Sequence, residues 1–205
     1  MNRGERLNTI THLIGAALAL AGLVVLVVNA SLQGDPWKIV SFSVYGATLV
    51  ALYFFSTIYH GISSTAKPIF QKFDHAAIYL LIAGSYTPFT LVTLRGAWGW
   101  SLFGVIWGLA IVGIVQDVFL QTKHRILSVV IYLLMGWLAM AAIQPLARVL
   151  PRAGMVWMVA GGVFYTVGVV FYALDKRIPH GHGIFHFFVL AGSICHYITI
   201  FRYIA

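Results

Sequence analysis

The groups able to do chemistry in this 205-residue chain are eight histidines and five acidic residues. His182 and His186 are four apart. On a helix that spacing stacks two imidazoles one turn apart on one face, as a pair of metal ligands requires. Ser56 and His60 repeat the spacing, and Asp74 stands beside His75 at the start of an apolar run. Three imidazole nitrogens, from His60, His182 and His186, with water in the fourth position would form a tetrahedral zinc centre of the catalytic type. Asp74 would then hold that water or act as its base, unless the metal alone activates it. Ser56 has two readings: a hydrogen-bond partner within the site, or a hydroxyl bonded back to its own helix carbonyl.

Other chemistries lack their motifs. There is no His-Glu-x-x-His, and Glu5 is the sole glutamate, so a glutamate general base is not expected. No nucleophile elbow, P-loop or dinucleotide fingerprint occurs. The single Cys195 excludes an internal disulfide framework and a cysteine-rich metal site. His12, His124 and His180 lie at the ends of apolar runs and read as interfacial. His196 is roughly 15 Å along the helix from His186, at 1.5 Å per residue, too far to share an ion.

The elements that must position these groups are membrane helices. Of the residues, 60% are hydrophobic and only 9% charged, against about 25% charged in a soluble domain. That is too little polar surface for a water-facing globule, and it also excludes a disordered chain or a coiled coil. A spanning helix needs about 20 apolar residues. By that measure seven spans run over residues 10–30, 39–60, 74–94, 97–118, 126–144, 154–173 and 184–204, with short Pro- and Gly-marked connections. The fold class is therefore an all-α seven-helix transmembrane bundle in a single domain. The fifth run is the shortest and reads as tilted or partly re-entrant. Gly104, Gly108, Gly161, Gly162 and Gly168 read as close helix packing, and Trp37, Trp98, Trp100 and Tyr203 as interfacial anchors.

The net charge of +8 is spread singly or in pairs between apolar runs, which fits loop charges setting orientation and not nucleic-acid binding. One set of loops holds Arg3, Arg6, Lys67, Lys72, Lys123, Arg125, Lys176 and Arg177; the other holds Lys38, Arg95, Arg148, Arg152 and Arg202. The positive-inside rule then places the N-terminus in the cytoplasm and the C-terminus outside. All histidines except His196 fall toward the cytoplasmic end. The first run ends in Val28-Asn29-Ala30 but is too long, and too polar at its start, for a cleaved signal; it is read as the first span.

These residues carry a family resemblance over nearly the whole chain. Asn8-Thr9-Ile10-Thr11-His12, Ser56-Thr57-Ile58-Tyr59-His60, Phe73-Asp74-His75, Gly84-Ser85-Tyr86-Thr87-Pro88-Phe89 and His182-Gly183-Ile184-Phe185-His186, followed by His196, resemble a bacterial haemolysin III-type member of the progestin and adipoQ receptor family. The resemblance implies a seven-helix bundle in the bacterial cell membrane. It implies zinc near the cytoplasmic side on His60, His182 and His186, with Asp74 approaching through water and Ser56 as the motif serine. The wider superfamily includes alkaline ceramidases, so the implied activity is hydrolysis of a lipid amide, with membrane lipids as partners. Hormone recognition is not implied. Two alternatives stand beside hydrolysis: a non-enzymatic receptor or regulator with a structural zinc, and the pore formation that the haemolysin label suggests.

Overall fold

The computed structural model describes residues 5–119 and 125–205. Among these there is no strand, and seven helices are long and apolar enough to cross a membrane. They are α1 (Arg6–Gln33), α2 (Pro36–Gly61), α3 (Lys67–Thr93), α4 (Ala97–Val118), α5 (Ile126–Val149), α6 (Arg152–Ala173) and α7 (Gly181–Tyr203). Neighbours in sequence pack together, α3 also meets α5, and α1 packs on α7, so the bundle closes from its first helix to its last.

Burial and apolarity run in opposite directions. The most polar span, α3, is 67% buried over its apolar window, whereas the more apolar α5 is 11% buried. Lipid demands apolar side chains on the outside, and polar ones survive only where neighbouring helices satisfy them. The core accordingly holds Tyr45, Tyr53, Tyr79 and Thr87 alongside Phe42, Leu26 and Ile106. Gly104 and Gly108 correct the packing expectation: no neighbouring group lies within 4 Å of a Cβ built at either, and both face outward. Gly168 does meet α7, at Phe188.

Helix ends and breaks follow local chemistry. Asp35 caps α2 by accepting from the Trp37 and Lys38 amides at 2.9 and 3.3 Å, with Pro36 in the first turn. α3 begins at Lys67, earlier than its apolar run, because Pro68 starts the helix in a charged turn. After the internal Pro88 it widens into a π turn over Phe89–Thr93. α5 is a complete span with a 3₁₀ segment at Leu138–Ala142. The Tyr86 hydroxyl serves that break, donating to the Met135 and Gly136 carbonyls at 2.9 and 2.8 Å and accepting from the Ala139 amide at 2.8 Å. A buried helix break needs such a partner, since lipid offers no water.

Candidate metal centre

His60 closes α2, while His182 and His186 occupy the first turns of α7. Two glycines bring α7 to its neighbours. A Cβ at Gly183 would lie 2.6 Å from the Leu7 side chain and 3.2 Å from Asn8 Oδ1, so its absence allows α7 to approach α1. A Cβ at Gly181 would lie 2.9 Å from Asp175 Cα, so the α6–α7 turn folds tightly against the start of α7. His180, just before α7, takes a left-handed conformation with φ 59° and caps that turn.

The result is a cluster in which one ring nitrogen from each of His60, His182 and His186 lies within 4.8 Å of the other two. His60 Nε2 and His182 Nε2 are 3.3 Å apart. Two nitrogens bound at about 2.0–2.1 Å to one tetrahedral ion would be separated by about the same distance. His60 and His186 are buried, and His182 is half-buried. Three imidazoles close enough to share one metal ion are therefore a property of this fold, and their donor set suits a borderline divalent cation.

The outer nitrogens are all engaged. His60 Nδ1 lies 2.6 Å from Glu5 Oε2. His182 Nδ1 lies 3.4 Å from Asp175 Oδ2. His186 Nδ1 lies 3.3 Å from both the Asn8 carbonyl and the Thr11 hydroxyl. A carboxylate or carbonyl only accepts, so these partners suit the tautomer with its hydrogen on Nδ1, which would leave each Nε2 a lone pair for a metal ion. Glu5 is anchored by Asn8 Nδ2 at 3.0 Å and by Lys67 Nζ at 3.6 Å. Partial burial by itself raises the Glu5 carboxyl, but the bonds to His60 and Asn8 and the Lys67 charge oppose it, and its pKa lies below the ordinary value.

Asp74 and Ser56 are brought to the same cavity, and Ser56 is buried there. Its neighbour Thr57 donates to its own helix, to the Tyr53 carbonyl at 2.7 Å. Asp74 is not among the three clustered groups. It stands on the wall of a cavity of about 1200 Å³ that the three histidines also line. That cavity reaches from Glu5 and the histidines past Ile78 and Leu81 to Tyr165 and His196. His196 does not join the cluster; its Nε2 lies 3.2 Å from the Met158 carbonyl.

His12 corrects its expected interfacial place. It is 3% exposed and stacks on His186 with centroids 3.6 Å apart and planes 11° apart. The α1 face that meets His186 at Asn8 also carries His12, four residues on, against the same imidazole. His180 is exposed, as expected of an interfacial residue, and His124 lies outside the described residues. Glu5 and Asp175 were missed in the sequence. Both lie outside the apolar runs, and their histidine partners are 55 and 7 residues away, so only Asp175 offered a local signal.

The fold and this centre define a class: seven-helix membrane proteins with a three-histidine cluster at one end of the bundle. Within it, a family model described as haemolysin-III related matches residues 2–197, and the chain belongs to that family. The chain is 43% identical over 201 residues to Hemolysin-3 of Bacillus cereus, covering 98% of this chain and 91% of that protein. It is 29% identical to the monocyte to macrophage differentiation factor of Homo sapiens, over 96% of this chain and 83% of that one. It is 23% identical to the adiponectin receptor protein of Drosophila melanogaster, over 93% of this chain and 48% of that one. These relatives bear out the progestin and adipoQ receptor resemblance.

Proposed function

We propose that this protein is a zinc-dependent intramembrane hydrolase of a lipid amide. The observation that carries the reading is the three-imidazole cluster, to which no fourth ligand group is added among the described residues, set on the wall of a large cavity with Asp74 and Ser56. A structural zinc site is usually closed by four protein ligands, whereas a catalytic one keeps a position open. Bound at His60, His182 and His186, zinc would polarise the amide carbonyl and acidify the attacking water.

The chain's own groups supply the rest. The cavity, lined by Leu52, Ile78, Leu81 and Val189 among others, receives an acyl chain. Asp74 takes a proton from water as its oxygen attacks the carbonyl carbon. It returns that proton to the leaving nitrogen as the carbon–nitrogen bond breaks, giving a carboxylic acid and an amine. Ser56 holds the Asp74 carboxyl in place through its hydroxyl. The positive-inside count puts this chemistry at the cytoplasmic face of the membrane.

A second reading is a receptor or regulator in which zinc only ties α2 to α7. It is favoured by the contacts that also join α1 to the cluster through Asn8 and Thr11. Metal content measured on detergent-purified protein, followed by release of fatty acid from a ceramide panel, separates the readings. Hydrolysis predicts near one zinc per chain, loss of zinc in the His182→Ala/His186→Ala variant, and turnover abolished in Asp74→Asn with zinc retained. Zinc bound without turnover of any lipid amide would favour the second reading. Dye release from liposomes tests lysis, the activity named in the Bacillus relatives.

A further inference from the structure

The three imidazoles are not held alike. His60 and His182 each face a carboxylate through Nδ1, whereas His186 faces a backbone carbonyl and a hydroxyl. Of only five acidic residues in a chain with thirteen lysines and arginines, two stand at these outer nitrogens. Neither belongs to a span: Glu5 precedes α1, and Asp175 sits in the α6–α7 connection. Glu5 is also fixed in place, with Asn8 on the same oxygen that meets His60 and Lys67 on the other.

A carboxylate at Nδ1 does two things that a neutral acceptor does less well. It holds the proton on Nδ1, which leaves Nε2 as the lone-pair donor and makes it more basic. It also places negative charge beside a site that would otherwise gather +2 on neutral ligands in a partly buried setting. We infer that Glu5 and Asp175 are positioning residues that raise the affinity of this centre for a divalent cation by orienting and charging His60 and His182. The inference rests on the metal reading proposed above. It assigns a task to the N-terminal residue Glu5 and to the α6–α7 connection, neither of which contributes a ligand.

The test uses the full chain in detergent, with zinc affinity read by competition against a chromophoric chelator and melting temperature read with and without zinc. Glu5→Gln and Asp175→Asn keep shape and remove charge. Each should weaken zinc binding by about 10–100-fold. Each should leave the metal-free melting temperature at the wild-type value while shrinking the rise that zinc produces. Thr11→Val, beside the imidazole held by a neutral carbonyl, should change affinity by less than about threefold, since the Asn8 carbonyl still accepts. Wild-type affinity in both charge-removing variants would overturn the inference while leaving the metal site intact. A lowered metal-free melting temperature matching the loss of binding would overturn it too, as a merely structural effect. A wild-type chain that takes up no zinc would fail the metal reading, and the inference with it.

Discussion

Two polar clusters face the same cavity and are built on opposite principles. At the histidine centre, three ring nitrogens gather within 4.8 Å of one another, with His60 and His182 Nε2 3.3 Å apart and acceptors at the outer nitrogens. At the other cluster, Asp117 near the end of α4 accepts from Ser128 at 2.6 Å, Tyr79 at 3.2 Å and Tyr132 at 3.3 Å. The Tyr132 hydroxyl also reaches the His75 carbonyl, at 3.5 Å. Ring nitrogens gathered together with acceptors behind them suit a cation; a carboxylate ringed by hydroxyls is already satisfied. An ionisable residue inside a membrane protein is a functional candidate by default. What separates the two clusters is hydrogen-bond accounting and not residue type: one cluster is open to a ligand and the other ties helices together.

The sharpest break of this contrast is His60→Ala. Zinc content should fall from near one per chain to near zero, because two imidazoles alone leave the ion half-coordinated. Mass-spectrometric metal analysis decides it, and full zinc in that variant would place the centre elsewhere. Asp74→Asn comes next: lipid-amide turnover should fall by about 10²–10⁴-fold with zinc content unchanged. Equal loss of zinc would make Asp74 a ligand.

Asp117→Asn probes the satisfied cluster. An amide cannot accept from three hydroxyls as a carboxylate does, so stability should fall by about 1–3 kcal/mol. Denaturant or thermal melts would show this, and zinc affinity should match wild type; a matching loss of zinc would erase the contrast. Chelator treatment is the converse. Stripping metal should lower the wild-type melting temperature, by about 2.7 kcal/mol of linkage where free zinc stood at 100 times its dissociation constant, and should leave His60→Ala unmoved. The smallest effect is expected of Ser56→Ala, with zinc retained and turnover lowered by about tenfold or less, since in the proposed mechanism the hydroxyl only steadies Asp74.

The two clusters also differ in how far they could be read in advance. His182 and His186 share a helix face by spacing, and His60 and Asp74 stand at the ends of apolar runs, so this half of the site is visible in local pattern. Asp117 carries no such mark. Its hydroxyl partners come from two other helices, α3 and α5, and a lone acid in an apolar run does not reveal whether hydroxyls will surround it. His12 was misplaced for the same reason: the end of an apolar run is wet or buried according to what packs over it, and here His186 does. Gly104 and Gly108 misled in the opposite sense, because a glycine at helical spacing looks alike on a packed face and on one turned outward.

By itself the sequence determined the seven spans, the helix class, and the candidate ligands His60, His182 and His186. These depend on apolar run length and on helical spacing, which are local quantities. The tertiary structure alone decided that the three nitrogens converge and that Glu5 and Asp175 stand behind two of the imidazoles. Such contacts depend on how closely α7 approaches α1 and α2. That approach is a matter of side-chain volume across helices, carried here by the missing Cβ of Gly183, and no pattern within a single helix contains it.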